Sequence, residues 1–144
     1  MTNTGLPTEE FAHLVVPPGE TIFLKGQPAD NAYVILRGEV QAGAQSPFGK
    51  FVVLSRMPAG EMFGELALLK PDGRRTATTM SAEGCELLVI PGAIFDDRLR
   101  SADPLLHFVI GHLGRRLVKL SERVVDAGLE ESQGRPAWPN PEGR

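Results

Sequence analysis

Phe63-Gly64-Glu65-Leu66-Ala67-Leu68-Leu69, followed after a polar loop by Arg74-Arg75-Thr76-Ala77-Thr78, is the stretch from which the rest of this 144-residue chain can be read. A glycine leads into a short apolar turn whose first backbone N–H groups have no partner inside the turn, and such groups attract anions. Just beyond the loop come an arginine and a hydroxyl. The planar guanidinium can donate two parallel hydrogen bonds, the geometry a phosphate accepts. Glu65 carries the wrong charge for a phosphate, so beside an anion site its use is to accept from a sugar hydroxyl. The chemistry uniting these groups is that of a nucleotide or a sugar phosphate.

Around this stretch, Val15 to Ile90 reads as short runs of Val, Ile, Phe, Leu and Thr punctuated by glycine and proline. That is the pattern of many short strands closed into a small barrel or roll. The candidate strands are Thr21–Leu24, Ala32–Leu36, Glu39–Ala42, Lys50–Leu54, Thr76–Ser81 and Glu86–Ile90. Upstream, a tail of residues 1–12 runs into one short helical candidate, Thr8–Leu14, with Thr8 as its cap and Glu9 and Glu10 in its first turn.

After Ile90 the period changes. Pro91 to Arg100 reads as a short helix, and Asp103-Pro104 supplies an N-cap and a first-turn proline for a long one that Gly128 is expected to stop. Within it Leu106, Ile110, Leu113, Leu117, Leu120 and Val124 repeat at heptad spacing. This seam either packs on the β-domain or pairs with a second helix, and a parallel pair across a two-fold axis is the assembly it predicts. Arg115, Arg116, Lys119 and Arg123 are interleaved with Glu122 and Asp126, a solvated face rather than a DNA patch. Residues 129–144, with Trp138 among prolines and glycines, read as a disordered tail.

Composition narrows the remaining classes. Hydrophobic residues make up 42% and charged residues 23%, and the net charge is only -3, so nothing global draws the chain to polyanions. No apolar run approaches the roughly 20 residues of a membrane span. Residues 1–10 have neither the basic start nor the apolar core of a secretory signal, so the cytoplasm is the expected compartment. Cys85 is alone and expected to be a small buried or strand-end residue. His13, His107 and His112 form no metal-ligand pattern, and no nucleophile, base and orienting group come together, so neither a metal site nor an enzyme is expected.

The Phe63–Thr78 stretch resembles the phosphate-binding cassette of cyclic nucleotide-binding domains, whose pattern is F-G-E-x-A-L, a short loop, then R-[TSA]-A. Pro18-Gly19-Glu20-Thr21-Ile22, Lys25-Gly26-Gln27-Pro28-Ala29-Asp30 and Tyr33-Val34-Ile35-Leu36-Arg37-Gly38-Glu39-Val40 are similar to the glycine-marked β-roll of that family. The resemblance implies a mainly β domain over residues 13–128, an antiparallel, jelly-roll-like β-roll followed by a short helix and a long C-terminal helix. It implies a regulatory module for cyclic AMP or cyclic GMP that needs no further cofactor. Phe63, Gly64, Leu66 and Ala67 would approach the ribose-phosphate ring, Glu65 would accept from the ribose 2′-OH, Arg75 rather than Arg74 would hold the phosphate, Thr76 would bond phosphate or base, and Ala77 would allow close approach. Both Glu65 and Arg75 are expected to point into an open, wet pocket.

The long helix is similar to the dimerising helix of bacterial catabolite activators, which makes Leu120, Ser121 and Arg123 candidate base contacts. With only a short tail after that helix, a helix-turn-helix DNA-binding unit is not expected, and the output would pass to an unknown downstream protein. Two rival readings are a non-binding adaptor of the same fold and a cupin-type barrel enzyme.

Overall fold

In the computed structural model, which describes residues 4–132, apolar residues alternate along Asn31–Gln45 to form one long strand buried on both faces. Tyr33 and Ile35 point into one core cluster with Val16, Phe23, Phe63 and Leu87. Ala32, Val34 and Leu36 point the other way, into a second cluster with Leu88 and Ile90. Around this strand the order is β1 (Ala12–Val16), β2 (Glu20–Phe23), β3 (Asn31–Gln45), β4 (Phe51–Pro58), β5 (Met62–Phe63), α1 (Glu65–Leu69), β6 (Thr78–Ser81), β7 (Cys85–Pro91), α2 (Gly92–Arg100) and α3 (Pro104–Ser132). Every strand pairing is antiparallel: the first half of β3 pairs with β7 and β5, the second half with β4 and β6, while β1 covers β7 and β2 covers β6. The mainly β roll with a short and a long C-terminal helix expected from the sequence is the observed fold.

Local differences from the sequence reading have physical causes. Ala32–Leu36 and Glu39–Ala42 are one strand: after a register shift between Ile35 and Arg37, Gly38, at φ 84°, still pairs with Cys85 of β7, and from Glu39 the strand continues into pairing with β4 instead of reversing. A Cβ there would stand 2.4 Å from the Gly84 carbonyl oxygen, so the crossing requires glycine. Thr8–Leu14 is not a helix: Thr8–Glu10 forms a single 3-10 turn without a side-chain cap, and His13 to Val16 are drawn into pairing with β7. The Thr76–Ser81 strand begins only at Thr78, because the Arg75 backbone bonds instead to Gln27 and Gly26. Cys85 is buried in the core.

Asp103 caps α3 as expected, its carboxylate accepting from Leu105 N–H at 2.9 Å. The helix does not stop at Gly128 but continues through Ser132. Gly128 is instead a contact residue, since a Cβ on it would lie 2.1 Å from Leu54 Cδ2 on β4. The predicted tail therefore begins inside the helix, and residues 133–144, with Trp138, lie outside the described residues. Val125 is buried and Gly114 packs on Leu69 of α1, so α3 meets the roll with this face. The heptad seam lies roughly a quarter-turn round the helix from that face: Leu106, Ile110, Leu113, Leu117, Leu120 and Val124 are 38–56% exposed. The stripe that α3 buries against its own β-domain is therefore the neighbouring one, through Gly114, Val125 and Gly128, and not the seam. No helix among the described residues is long and apolar enough to cross a membrane.

Candidate functional site

The turn into α1 is set by Gly64, whose φ of 82° lies in the left-handed region and which serves as the helix N-cap. This brings the Gly64 carbonyl to within 2.9 Å of Arg75 Nη1, which donates to it, while Nη2 donates to the Asn31 carbonyl at 2.8 Å. The guanidinium carbon sits over Phe23, 3.9 Å from the ring centroid, with Tyr33 beyond at 5.9 Å. Phe23, Tyr33 and Phe63 form one aromatic cluster under it.

Arg75 is only 4% exposed, so the expectation of an open, wet position fails for this residue. Its side chain is held by two carbonyls and a ring, and no carboxylate among the described residues is bonded to it. Burial lowers its pKa, with Tyr33 and Asp30 opposing. Arginine nevertheless keeps its charge at any ordinary pH. Its Nε is buried without a partner. Arg74 lies elsewhere, donating to the Gly26 carbonyl from an exposed position, so it is Arg75 that reaches the site.

Arg75 lines a cavity of about 200 Å³ between the roll and α3. All eight residues singled out around the cassette, Phe63, Gly64, Glu65, Leu66, Ala67, Arg75, Thr76 and Ala77, line it. Glu65 is half-buried, and desolvation pushes its carboxyl above the usual range, partly offset by a bond from its own N–H. Of the three residues expected from α3, Ser121 lines the cavity; Leu120 and Arg123 do not, being exposed on the outer side of the helix.

Sequence reasoning missed Phe23, Ala42, Ser55, Met57, Met62 and Thr79, which also line the cavity. They come from β2, β3, β4, β5 and β6, and only the pairing of those strands brings them together. Two of the residues around the cavity leave a buried side-chain polar atom unpartnered, Arg75 Nε and Thr79 Oγ1, and among the described residues these are the only two such atoms. Groups of this kind are rare in folded proteins and mark places where a ligand or water completes the bonding.

The cassette is also tied to α3. Leu69 meets Gly114, and Lys70 at the end of α1 pairs with Glu122 at 3.3 Å.

A glycine-led helical turn, a buried arginine and a half-buried carboxylate thus surround one cavity on an antiparallel roll. The profile of the family described as "Cyclic nucleotide-binding domain" matches residues 13–102, and the chain belongs to that family. It is similar to a CRP-like cAMP-activated global transcriptional regulator of Mycobacterium tuberculosis, 29% identical over 133 residues, covering 90% of this chain and 58% of the relative. A cAMP-activated global transcriptional regulator of Haemophilus influenzae is 26% identical over 121 residues, covering 84% and 54%. The chain thus spans somewhat over half the length of these curated relatives. Among solved structures it resembles the Thermus thermophilus catabolite activator protein, with TM-score 0.62 and 27% identity over 78% of this chain and 53% of that one. An EAL enzyme in its cAMP-bound form gives TM-score 0.67 and 25% identity over 85% of this chain and 32% of that one.

Proposed function

We propose that this chain is a receptor for a purine 3′,5′-cyclic monophosphate, cyclic AMP in preference to cyclic GMP, and that α3 carries the occupied state to a partner. The observation that carries the reading is Arg75: a buried cation with no bonded anion, its Nε free, lining the cavity. A cyclic phosphate supplies the missing negative charge, and an arginine can meet it with two prongs. Glu65 accepts from the ribose 2′-OH, while Gly64 and the backbone of Leu66 and Ala67 let the sugar-phosphate ring come close. Ser121, which lines the same cavity from α3, offers its hydroxyl to the base. The naming of the two regulators above as cAMP-activated supports cyclic AMP as the first ligand to test.

The cavity is smaller than the roughly 300–1,000 Å³ of most small-molecule sites, so a whole nucleotide enters by spreading the cassette and α3. The Leu69–Gly114 contact and the Lys70–Glu122 pair convert that movement into a displacement of the helix. The exposed seam of α3 fits a second copy of the chain in a parallel homodimer. Isothermal titration with cyclic AMP, cyclic GMP and 5′-AMP tests the reading. Saturable binding of the cyclic nucleotides, with cyclic AMP the tighter, is expected. A tenfold preference for cyclic GMP reverses the base assignment, and binding of neither leaves an adaptor of the same fold.

A further inference from the structure

Ser55, Ala42, Thr79 and Phe23 are successive Cα partners across β4, β3, β6 and β2. Directly opposed residues of antiparallel strands send their side chains to the same face of the sheet, and all four line the cavity. They form one lateral row along its floor. At one end Phe23 lies under the Arg75 guanidinium. At the other, Ser55 shares the cavity wall with Ser121 of α3. Strands are spaced about 4.8 Å apart, so Thr79 sits one such step in from the arginine end. Its neighbour Ala42 leaves room beside it for a flat ring.

Thr79 is 3% exposed, and its hydroxyl has no partner. The other hydroxyls of β6 differ. Thr78 Oγ1 accepts from Lys25 N–H at 3.0 Å, and Ser81 Oγ donates to the Val16 carbonyl at 3.5 Å. A valine would fill the space of Thr79 without burying an unbonded hydroxyl, an unfavourable state in the absence of a ligand. The hydroxyl can both donate and accept, so it can meet either kind of group on a purine.

We infer that Thr79 is a specificity-determining contact, its hydroxyl hydrogen-bonding a polar atom of the nucleobase of a purine cyclic monophosphate held in this cavity. The inference rests on the nucleotide reading above and adds to it a base contact from the floor of the sheet, opposite the helix.

The test is titration of the wild type, Thr79→Val and Thr79→Ser with cyclic AMP and cyclic GMP, with a melting curve of each ligand-free protein. Thr79→Val is expected to weaken the preferred nucleotide about 5- to 20-fold, the range for one lost hydrogen bond, and to change the ratio of the two affinities. Its ligand-free melting temperature should be no lower than that of the wild type. Thr79→Ser, which keeps the hydroxyl, should bind within about threefold of the wild type. A wild type that binds while Thr79→Val binds equally well, with the ratio unchanged, overturns the inference and leaves the nucleotide reading standing. Loss in both variants assigns the effect to packing and also overturns it. A wild type that binds neither nucleotide removes the nucleotide reading itself, and the inference with it.

Discussion

The guanidinium carbon of Arg75 lies over the ring of Phe23, 3.9 Å from its centroid, and this contact joins the buried cation that lines the cavity to the aromatic core of the roll. A cation stacked on a ring and bonded edge-on to the Gly64 and Asn31 carbonyls has little freedom left before any ligand arrives. Preorganisation of this kind lowers the ordering cost of binding. It also makes the residue part of the fold.

Arg75→Ala should therefore damage two properties together. Losing the partner of a buried phosphate is an effect of about 2–5 kcal/mol, or roughly 30- to 5000-fold in affinity. The unpaired carbonyls and the void over Phe23 should lower the melting temperature by roughly 3–4 °C, the counterpart of about 1 kcal/mol in a domain of this size. Arg75→Lys should recover little of either, because it keeps the charge but not the flat fork. Titration and thermal melts on both variants check this; an Arg75→Ala protein with unchanged affinity would refute the site.

Glu65 predicts a pH dependence. Its carboxyl pKa is raised in the folded state by burial, above the ordinary 4.5. Between those two values the native state holds more proton than the unfolded chain, so stability is full below the lower value and falls as pH rises through the raised one. Glu65→Gln removes that loss: it should melt higher than the wild type at pH 7, with the difference shrinking towards pH 4. Binding should weaken by the about 1.5–3 kcal/mol of one charge-assisted bond, and a 2′-deoxy nucleotide should show little further loss against this variant.

Three glycines of the same helices and turns should respond differently to alanine. At Gly111 the nearest obstacle to a Cβ is the mobile end of Arg115 at 3.4 Å, so Gly111→Ala should stabilise α3 by about 0.5–1 kcal/mol. Gly128→Ala drives a methyl into Leu54 and should cancel or reverse that gain. Gly64→Ala combines a φ of 82° with a Cβ 2.8 Å from Arg75 Nη1, and should lower both the melting temperature and the affinity. Denaturant unfolding of the three variants ranks them.

The seam predicts assembly. Leu113→Glu combined with Leu117→Glu places charge in the middle of an exposed apolar stripe, and sedimentation should show a dimer reduced to a monomer. Cyclic AMP titration of the variant should still saturate, because neither residue lines the cavity.

The sequence carried the cassette because its residues are close in the chain: Phe63 to Ala77 encode one turn, one helix and one loop, and all eight chosen positions reach the cavity. The cavity floor was hidden for the opposite reason. Ser55, Ala42, Thr79 and Phe23 meet only through strand register, which no local pattern states. The burial of Arg75 was also invisible, since it depends on carbonyls at Gly64 and Asn31 exposed by particular backbone turns. Gly38 and Gly128 were legible as glycines but not as crossings and contacts, because a turn signal and a packing requirement use the same residue.

One strand connects much of this. β3 begins at Asn31, whose carbonyl holds Arg75, contributes Tyr33 to the aromatic cluster and Ala42 to the cavity floor, and ends at Gln45 beside the hairpin loop. The order in which the chain is joined therefore matters less than the integrity of this segment. New termini opened at Phe48, in the 87% exposed tip of the β3–β4 hairpin, should leave the permuted protein folded and able to take its ligand. New termini at Gly38 should split the carbonyl clamp from the floor and abolish both, although that position looks from the sequence like the more natural place to cut.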